Sequence, residues 1–428
     1  MPNQQTIESQ NNAEFINSLI ELKKLGQGAF GVVSLVLYNN LKGLLVKSGL
    51  ACEANYYSIS QKSTIYQTSN DNNDNNDLLP THSLCVLKQE SHRSIEHRNK
   101  LSGENDKLSE PKILSNLAHP FIIGYIAHTF NHEKLYLIQE FFDGQELKQV
   151  ILGKKQLSQN FSSQEVLFVV FQLAMALEYL HRHGIYHRDL KSSNILINNR
   201  CLIKLIDFGF AEKSLNMHSA SKYNTDVVGT PYYMSPQAVS RLVYTDKTDC
   251  WSLGIIFYEL LTLKKPFEGG TFQILANSIY FNSYAALPIQ LSCFKYLIDG
   301  LLEKHESRRF SIKEFLNTKE MQSIGLQFIR YYETLVNNIG TKADHNWLCV
   351  LKEHYGKIIS KPGLSSKQEL ALDKILRKEQ YELIQNERIL REKYEKKVND
   401  FFQQFSVYME KMRPVSSSNT SFKFCTAP

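Results

Sequence analysis

The chain has 428 residues, 43% hydrophobic and 21% charged, with 49 Lys and Arg against 43 Asp and Glu, a net charge of +6. That balance fits a soluble globular protein of two or three units. So small a positive excess, with no Lys/Arg block interleaved with aromatics, argues against nucleic-acid binding.

Residues 1–18 read as a polar tail without the apolar stretch of a secretory signal. From Leu19 to about Leu37, strand-type segments flank a glycine-rich turn. Residues 39–81 read as an insertion, and Asn70-Asp71-Asn72-Asn73-Asp74-Asn75-Asn76-Asp77 within it is too polar to order itself. Strands are expected at Ser83–Gln89, Phe121–Phe130 and Leu135–Phe142, with a helix around Leu108–Leu117. Helices then dominate. Val166–Leu180 and Thr248–Leu263 are long apolar helices, with short strands around Ile195–Ile206. The apolar run Leu253–Leu261 is too short to span a bilayer. A β-rich part before a larger helical part implies an α+β protein of two lobes with a cleft between them. Residues 316–365 read as a helical extension without a motif. In 366–412, Leu376, Leu383 and Leu390 are spaced by heptads, as are Tyr394, Phe401 and Tyr408. That stretch is a long amphipathic helix, either docked singly or paired as a coiled coil in a homodimer. Residues 413–428 form a Ser-rich tail. The seven cysteines make no C-x-x-C pair, which implies reduced thiols in the cytoplasm or nucleus.

Several motifs carry chemistry suited to phosphoryl transfer, which needs positioning and charge neutralisation. Gly26-Gln27-Gly28-Ala29-Phe30-Gly31-Val32-Val33 lets backbone amides close over phosphate oxygens. A strand follows it, whereas a dinucleotide fold would place a helix there. Two lysines compete to pair with phosphates. Lys47 lies at the more usual distance from the glycine turn. Lys88 lies at the better distance from the helix that must supply a carboxylate, and keeps the insertion out of that interval, so Lys88 is favoured. Its expected partner is Glu110, although Pro111 opposes helical geometry there and Glu104 is the fallback.

Tyr186-His187-Arg188-Asp189-Leu190-Lys191-Ser192-Ser193-Asn194 supplies a proton acceptor in Asp189, a phosphate-steadying charge in Lys191 and a Mg²⁺ ligand in Asn194. Asp207-Phe208-Gly209 adds a second metal carboxylate, and such hard oxygens suit Mg²⁺. Val228–Gln237 would receive the substrate. Asp249, in a buried helix, must bond loop amides to be tolerated.

Over about residues 19–315 these motifs resemble the eukaryotic protein kinase family, serine/threonine type. Asp189–Asn194, Gly229–Pro236 and Tyr258–Phe267 are most similar to the NIMA-related (NEK) kinases, while His119-Pro120-Phe121 also resembles the cyclic-nucleotide-regulated kinases. The resemblance implies a bilobal protein kinase fold that binds ATP and Mg²⁺ and acts on serine or threonine of protein substrates. It implies Gln139 as gatekeeper and Glu140 to Phe142 as the hinge bonding adenine. It also places Val33, Val86 and Leu196 at the nucleotide and Glu146 near the ribose. Leu114, Tyr125, His187 and Phe208 would form a spine, and Phe210 implies a preference for serine. Asp226 would partly replace a loop phosphate facing Arg188. Three departures stand out: the insertion 39–81, Gln237 in place of glutamate opposite Arg309, and Val86 in place of alanine. The competing readings are a pseudokinase scaffold acting through its tail and a small-molecule phosphotransferase. The expected location is cytoplasmic, and nuclear, centrosomal or ciliary association fits the resemblance too.

Overall fold

Alternating burial organises the first part of the chain. Between His82 and Ser91, Cys85 and Leu87 are buried while Val86 and Lys88 on the opposite face are half-buried, the two-residue period of a pleated strand. The computed structural model describes residues 19–27, 31–39, 82–102, 109–131, 133–213, 231–240, 245–339 and 342–359, all within the unit 1–362. The tail 1–18, the stretch 366–412 and the segment 413–428 lie outside the described residues.

Strands β1 (Leu19–Gln27), β2 (Gly31–Asn39), β3 (His82–Ser91), β4 (Tyr125–Phe130) and β5 (Lys134–Glu140) form one sheet in the order β1-β2-β3-β5-β4. Every pairing in it is antiparallel. β2 and β3 pair from Gly31↔Glu90 to Asn39↔His82. The chain therefore leaves and rejoins this sheet at one end of the hairpin, and Asn39 belongs to β2, not to the insertion. Between β3 and β4 the described residues form α1 (His92–Ser102) and α2 (Ser109–Ser115). α1 was not anticipated. The expected strand Phe121–Phe130 is strand only from Tyr125, because its first half spends its backbone groups elsewhere.

The second part contains β6 (Gln145–Glu146), α3 (Leu147–Gln156), α4 (Ser163–Arg182), β7 (Ile185–Tyr186), β8 (Ile195–Ile197), β9 (Ile203–Leu205) and β10 (Glu212–Lys213). It continues with α5 (Pro236–Val239), α6 (Asp246–Thr262), α7 (Phe272–Phe281), α8 (Lys295–Leu301), α9 (Ile312–Leu316), α10 (Lys319–Ile339) and α11 (Lys342–Ile359). β6, β8 and β9 form a small sheet, and β10 pairs with β7. Ser162 and Glu165 cap α4 reciprocally, satisfying two donors that the helix start would leave bare. α4 is long and apolar enough to cross a membrane, yet 67% of that stretch is buried inside the protein; it is the axis of the core.

Among the described residues, two apolar clusters form. The smaller holds Val36, Cys85, Leu87, Ile126, Ala127, Tyr136 and Ile138 of the five-stranded sheet. The larger gathers the second part around α4 and α6 and includes Ile113 and Leu114 of α2. It also takes in Met321, Ile324, Phe328, Tyr332 and Leu335 of α10, one face of a helix by their three- and four-residue spacing. The extension is thus part of the main core.

Close packing of β2 on β3 allows no side chain at Gly31, where a Cβ would lie 2.0 Å from the Gln89 carbonyl oxygen. Gly31→Ala is expected to cost about 1–3 kcal/mol, read as a lowered thermal midpoint by circular dichroism. An unchanged midpoint would show that the hairpin parts there freely.

Candidate active site

Lys88 points from β3 at three carboxylates. Its Nζ lies 2.9 Å from both oxygens of Glu110, 3.0 Å from Asp207 Oδ1 and 3.1 Å from Glu90 Oε1. Pro111 does not break this arrangement, because α2 starts at Ser109 and a proline in the first turn removes an N–H that has no helical partner anyway. Glu110 is fully buried and also accepts from the Phe208 amide at 3.3 Å. Asp207 has φ 64°, a left-handed conformation that aspartate tolerates better than most residues. Sequence reading did not name Glu90; its signal was its place two residues after Lys88 on the strand.

The loop after β7 builds a second cluster. Lys191 Nζ donates to Asp189 Oδ2 at 2.6 Å, and Asn194 Nδ2 donates to the same oxygen at 3.0 Å and to the Asp189 carbonyl at 2.9 Å. Burial pushes the Asp189 carboxyl up while the Lys191 charge pulls it down. The Ile206 amide donates to the Asn194 carbonyl at 2.9 Å, joining this loop to the residue before Asp207. The Asn194 amide nitrogen is committed to Asp189, which leaves its side-chain oxygen as the donor atom for a cation. That oxygen and the Asp207 carboxylate are a hard donor pair that fits Mg²⁺ held in part by nucleotide phosphates.

Asp249 of α6 holds the loop from beneath. The amides of His187 and Arg188 donate to its two oxygens at 2.9 Å each, and His181 Nε2 donates at 2.9 Å. Burial raises this carboxyl, but the hydrogen bonds and charges of His181 and His187 outweigh it and hold it below the ordinary carboxylate range. Arg188 takes φ 65°, and its guanidinium pairs with Glu212 of β10. Glu212 is a partner that the sequence reading missed; Asp226 lies outside the described residues.

The nucleotide-side residues fall along the sheet. Gly26 and Gln27 pair with Val33 and Val32, Val33 pairs with Lys88, and Val86 stands between Leu35 and Gln139. Glu140 closes β5, its carboxylate held by Lys204 and by the Gly124 amide at 2.8 Å. The Phe142 ring packs so close to Gly144 that a Cβ there would lie 2.6 Å from it. Glu146 of β6 pairs with Leu196 of β8. Gly28, Lys47, Glu104 and Thr230 lie outside the described residues.

The segment at Pro231–Gln237 is moored by two clusters. Tyr233 OH donates to Glu259 at 2.9 Å and bonds Ser192 Oγ at 2.7 Å, with Lys265 against both its oxygen and its ring. Burial lowers Lys265 to about 8, with Glu259 opposing the shift. Gln237 uses both ends of its amide: Arg309 Nη2 donates to it at 2.8 Å, and it donates to the Lys304 carbonyl at 2.8 Å. A glutamate there would meet that carbonyl without a proton to give.

The protein kinase domain family matches residues 79–320. The chain is 36% identical over 234 residues to a putative serine/threonine-protein kinase A of Trypanosoma brucei brucei, covering 54% of this chain and 53% of that protein. It is 34% identical over 221 residues to the serine/threonine-protein kinase nekl-2 of Caenorhabditis elegans, covering 50% and 61%. It is 36% identical over 217 residues to the human serine/threonine-protein kinase Nek2, covering 49% and 48%. The chain spans about half the length of the curated relatives it matches.

Asp249→Asn would turn an amide N–H toward backbone donors and is expected to cost about 2–5 kcal/mol at neutral pH. Because folding lowers this carboxyl's pKa, its stabilisation is present above the ordinary carboxylate range and is lost as pH falls through the lowered value. Melting temperatures of wild type and variant should therefore converge on acidification. A constant gap would remove Asp249 from the pH response.

Proposed function

Because the chain belongs to the protein kinase family, we propose that it transfers the γ-phosphoryl group of ATP to serine or threonine hydroxyls of other proteins. One observation carries this reading: the Lys88 ammonium lies between Glu110 and Asp207 at 2.9 and 3.0 Å. Glu110 and Asp207 aim that ammonium at the cleft, where it meets the α- and β-phosphates. Asp189, with Oδ2 held by Lys191 and Asn194, offers its other oxygen to the incoming hydroxyl and accepts the proton. Lys191 steadies charge on the transferred group. Asn194 and Asp207 would hold Mg²⁺, which would neutralise phosphate charge. Gly26, Gln27, Gly28, Gly31, Val33, Val86 and Leu196 enclose the nucleotide, the backbone from Glu140 to Phe142 bonds adenine, and Glu146 meets the ribose.

The names of the matched relatives support the serine/threonine type and a NEK-like subgroup. A scaffold without catalysis would not need Lys88, Asp189, Asn194 and Asp207 together, and these are all present. In the same reading, the heptad-spaced residues 366–412 pair two chains as a coiled coil, and the protein works in the cytoplasm. Light scattering that finds the full chain monomeric at micromolar concentration would remove the pairing.

Asp189→Asn should lower kcat at least about 10²-fold on a generic basic protein substrate, with ATP binding kept. Activity close to wild type would overturn the assignment. Lys88→Met should abolish transfer while Lys47→Met changes it little. The reverse pattern would move the phosphate lysine to Lys47.

A further inference from the structure

The family match ends at residue 320, but the aromatic core does not. Phe328 of α10 is fully buried. Its ring centroid lies 5.7 Å from Phe121, 5.3 Å from Phe168 and 5.5 Å from Phe171. Phe121 belongs to the irregular segment His119–Gly124, and that segment is where three parts of the active site meet. It continues from the helix that carries Glu110. The Leu205 amide donates to the Phe121 carbonyl at 2.8 Å, and the Ile123 amide donates to the Leu205 carbonyl at 3.0 Å. Lys204 Nζ reaches the Ile122 carbonyl at 3.2 Å, and the Gly124 amide bonds Glu140.

β9, two residues before Asp207, is therefore held by this segment at its end. Its start is held by Gln172 of α4, which accepts from the Ile203 amide at 3.1 Å. α10 touches both flanks. Phe328 backs Phe121 at the end of β9, and Tyr331 OH donates to the Arg200 carbonyl in the turn before it at 2.7 Å. α11 adds Trp347 against His119, which stacks on Tyr179 of α4.

We propose that α10 is a positioning element of the active site, setting the place of β9, and so of the Asp207 carboxylate, through Phe328 and Tyr331. The inference rests on the kinase reading for the role of Asp207 toward Mg²⁺. A buried aromatic contact is stiff, since packing in a dense core leaves little room for the ring to follow a neighbour that moves. Metal coordination by a carboxylate is correspondingly sensitive to small displacements of the strand that presents it.

The test uses the full chain with two mild variants, Phe328→Leu and Tyr331→Phe. The control is Gly300→Ala, which places a Cβ 2.0 Å from the Phe310 ring between α8 and α9 and perturbs the core away from β9. Two quantities are read: amide hydrogen exchange at Ile123, Leu205 and Ile206, and ADP affinity with and without Mg²⁺. Both α10 variants should exchange faster at those amides and weaken the Mg²⁺-dependent part of ADP binding by about two- to thirty-fold. Gly300→Ala should lower the melting temperature without either change. If all three variants behave alike, or if Phe328→Leu binds Mg·ADP as wild type does, α10 only stabilises the fold and the proposal falls. A wild-type chain that binds Mg·ADP but phosphorylates no protein would overturn the proposed function and leave this inference standing.

Discussion

The ammonium of Lys88 among Glu110, Glu90 and Asp207 is the interaction on which the rest of the site depends. Glu110 is fully buried and Glu90 nearly so; without a paired cation either charge would cost several kcal/mol. The pairing therefore fixes how α2 stands against β3. It does so across a boundary in the packing, because β3 belongs to the small sheet core while Ile113 and Leu114 of α2 belong to the large one. Tyr125 of β4 and Leu137 of β5 also join the large core, and the ion pair adds a directional contact to that apolar one. Three carboxylates around one ammonium leave an excess of negative charge at this point, a field that a divalent cation would offset.

Asp249 solves the same problem differently. Its charge is met by two backbone amides and an imidazole, so the loop before Asp189 is held by its main chain. That leaves the side chains of Arg188 and Asp189 for other work. Charged hydrogen bonds of this kind are each worth about 1.5–3 kcal/mol, enough to hold Arg188 in a left-handed conformation that costs about 1–3 kcal/mol.

Much of this was legible in the sequence where chemistry is written in short strings. Asp189, Lys191 and Asn194 are separated by a few residues, and their type and spacing demand one loop. The pairing of Lys88 with Glu110 followed from the length of chain between them, free of the insertion. Glu212, Lys204 and the Tyr233–Glu259–Lys265 cluster were not legible, because each pairs with a residue far along the chain and each alone resembles an ordinary surface charge or aromatic. Phe121–Phe130 read as one strand because its apolar residues run almost without interruption. Its first half is instead bonded to β9 and to the Glu140 side chain, which no local pattern reports. α10 read only as part of a helical extension without a motif, because an apolar stripe on a helix states that a face is buried and not what buries it.

The folding unit consequently exceeds the recognised pattern at both ends. β1 and β2 precede residue 79, where the family match begins, yet β1 pairs with β2 and β2 with β3, which sets Val33 opposite Lys88 and Gly31 opposite Glu90. The long insertion separates them from β3 in sequence and not in space, since Asn39 and His82 are partners. At the other end, Phe121, Phe168 and Phe171 are buried against Phe328. Each such ring contributes about 1.5–3 kcal/mol by its removal from water, comparable with a sizeable share of the stability of a whole domain. The residues that make a kinase motif recognisable and the residues that make it a rigid object are therefore different sets. The second set is spread over more of the chain, because filling space constrains volume and shape at many positions while chemistry constrains identity at a few.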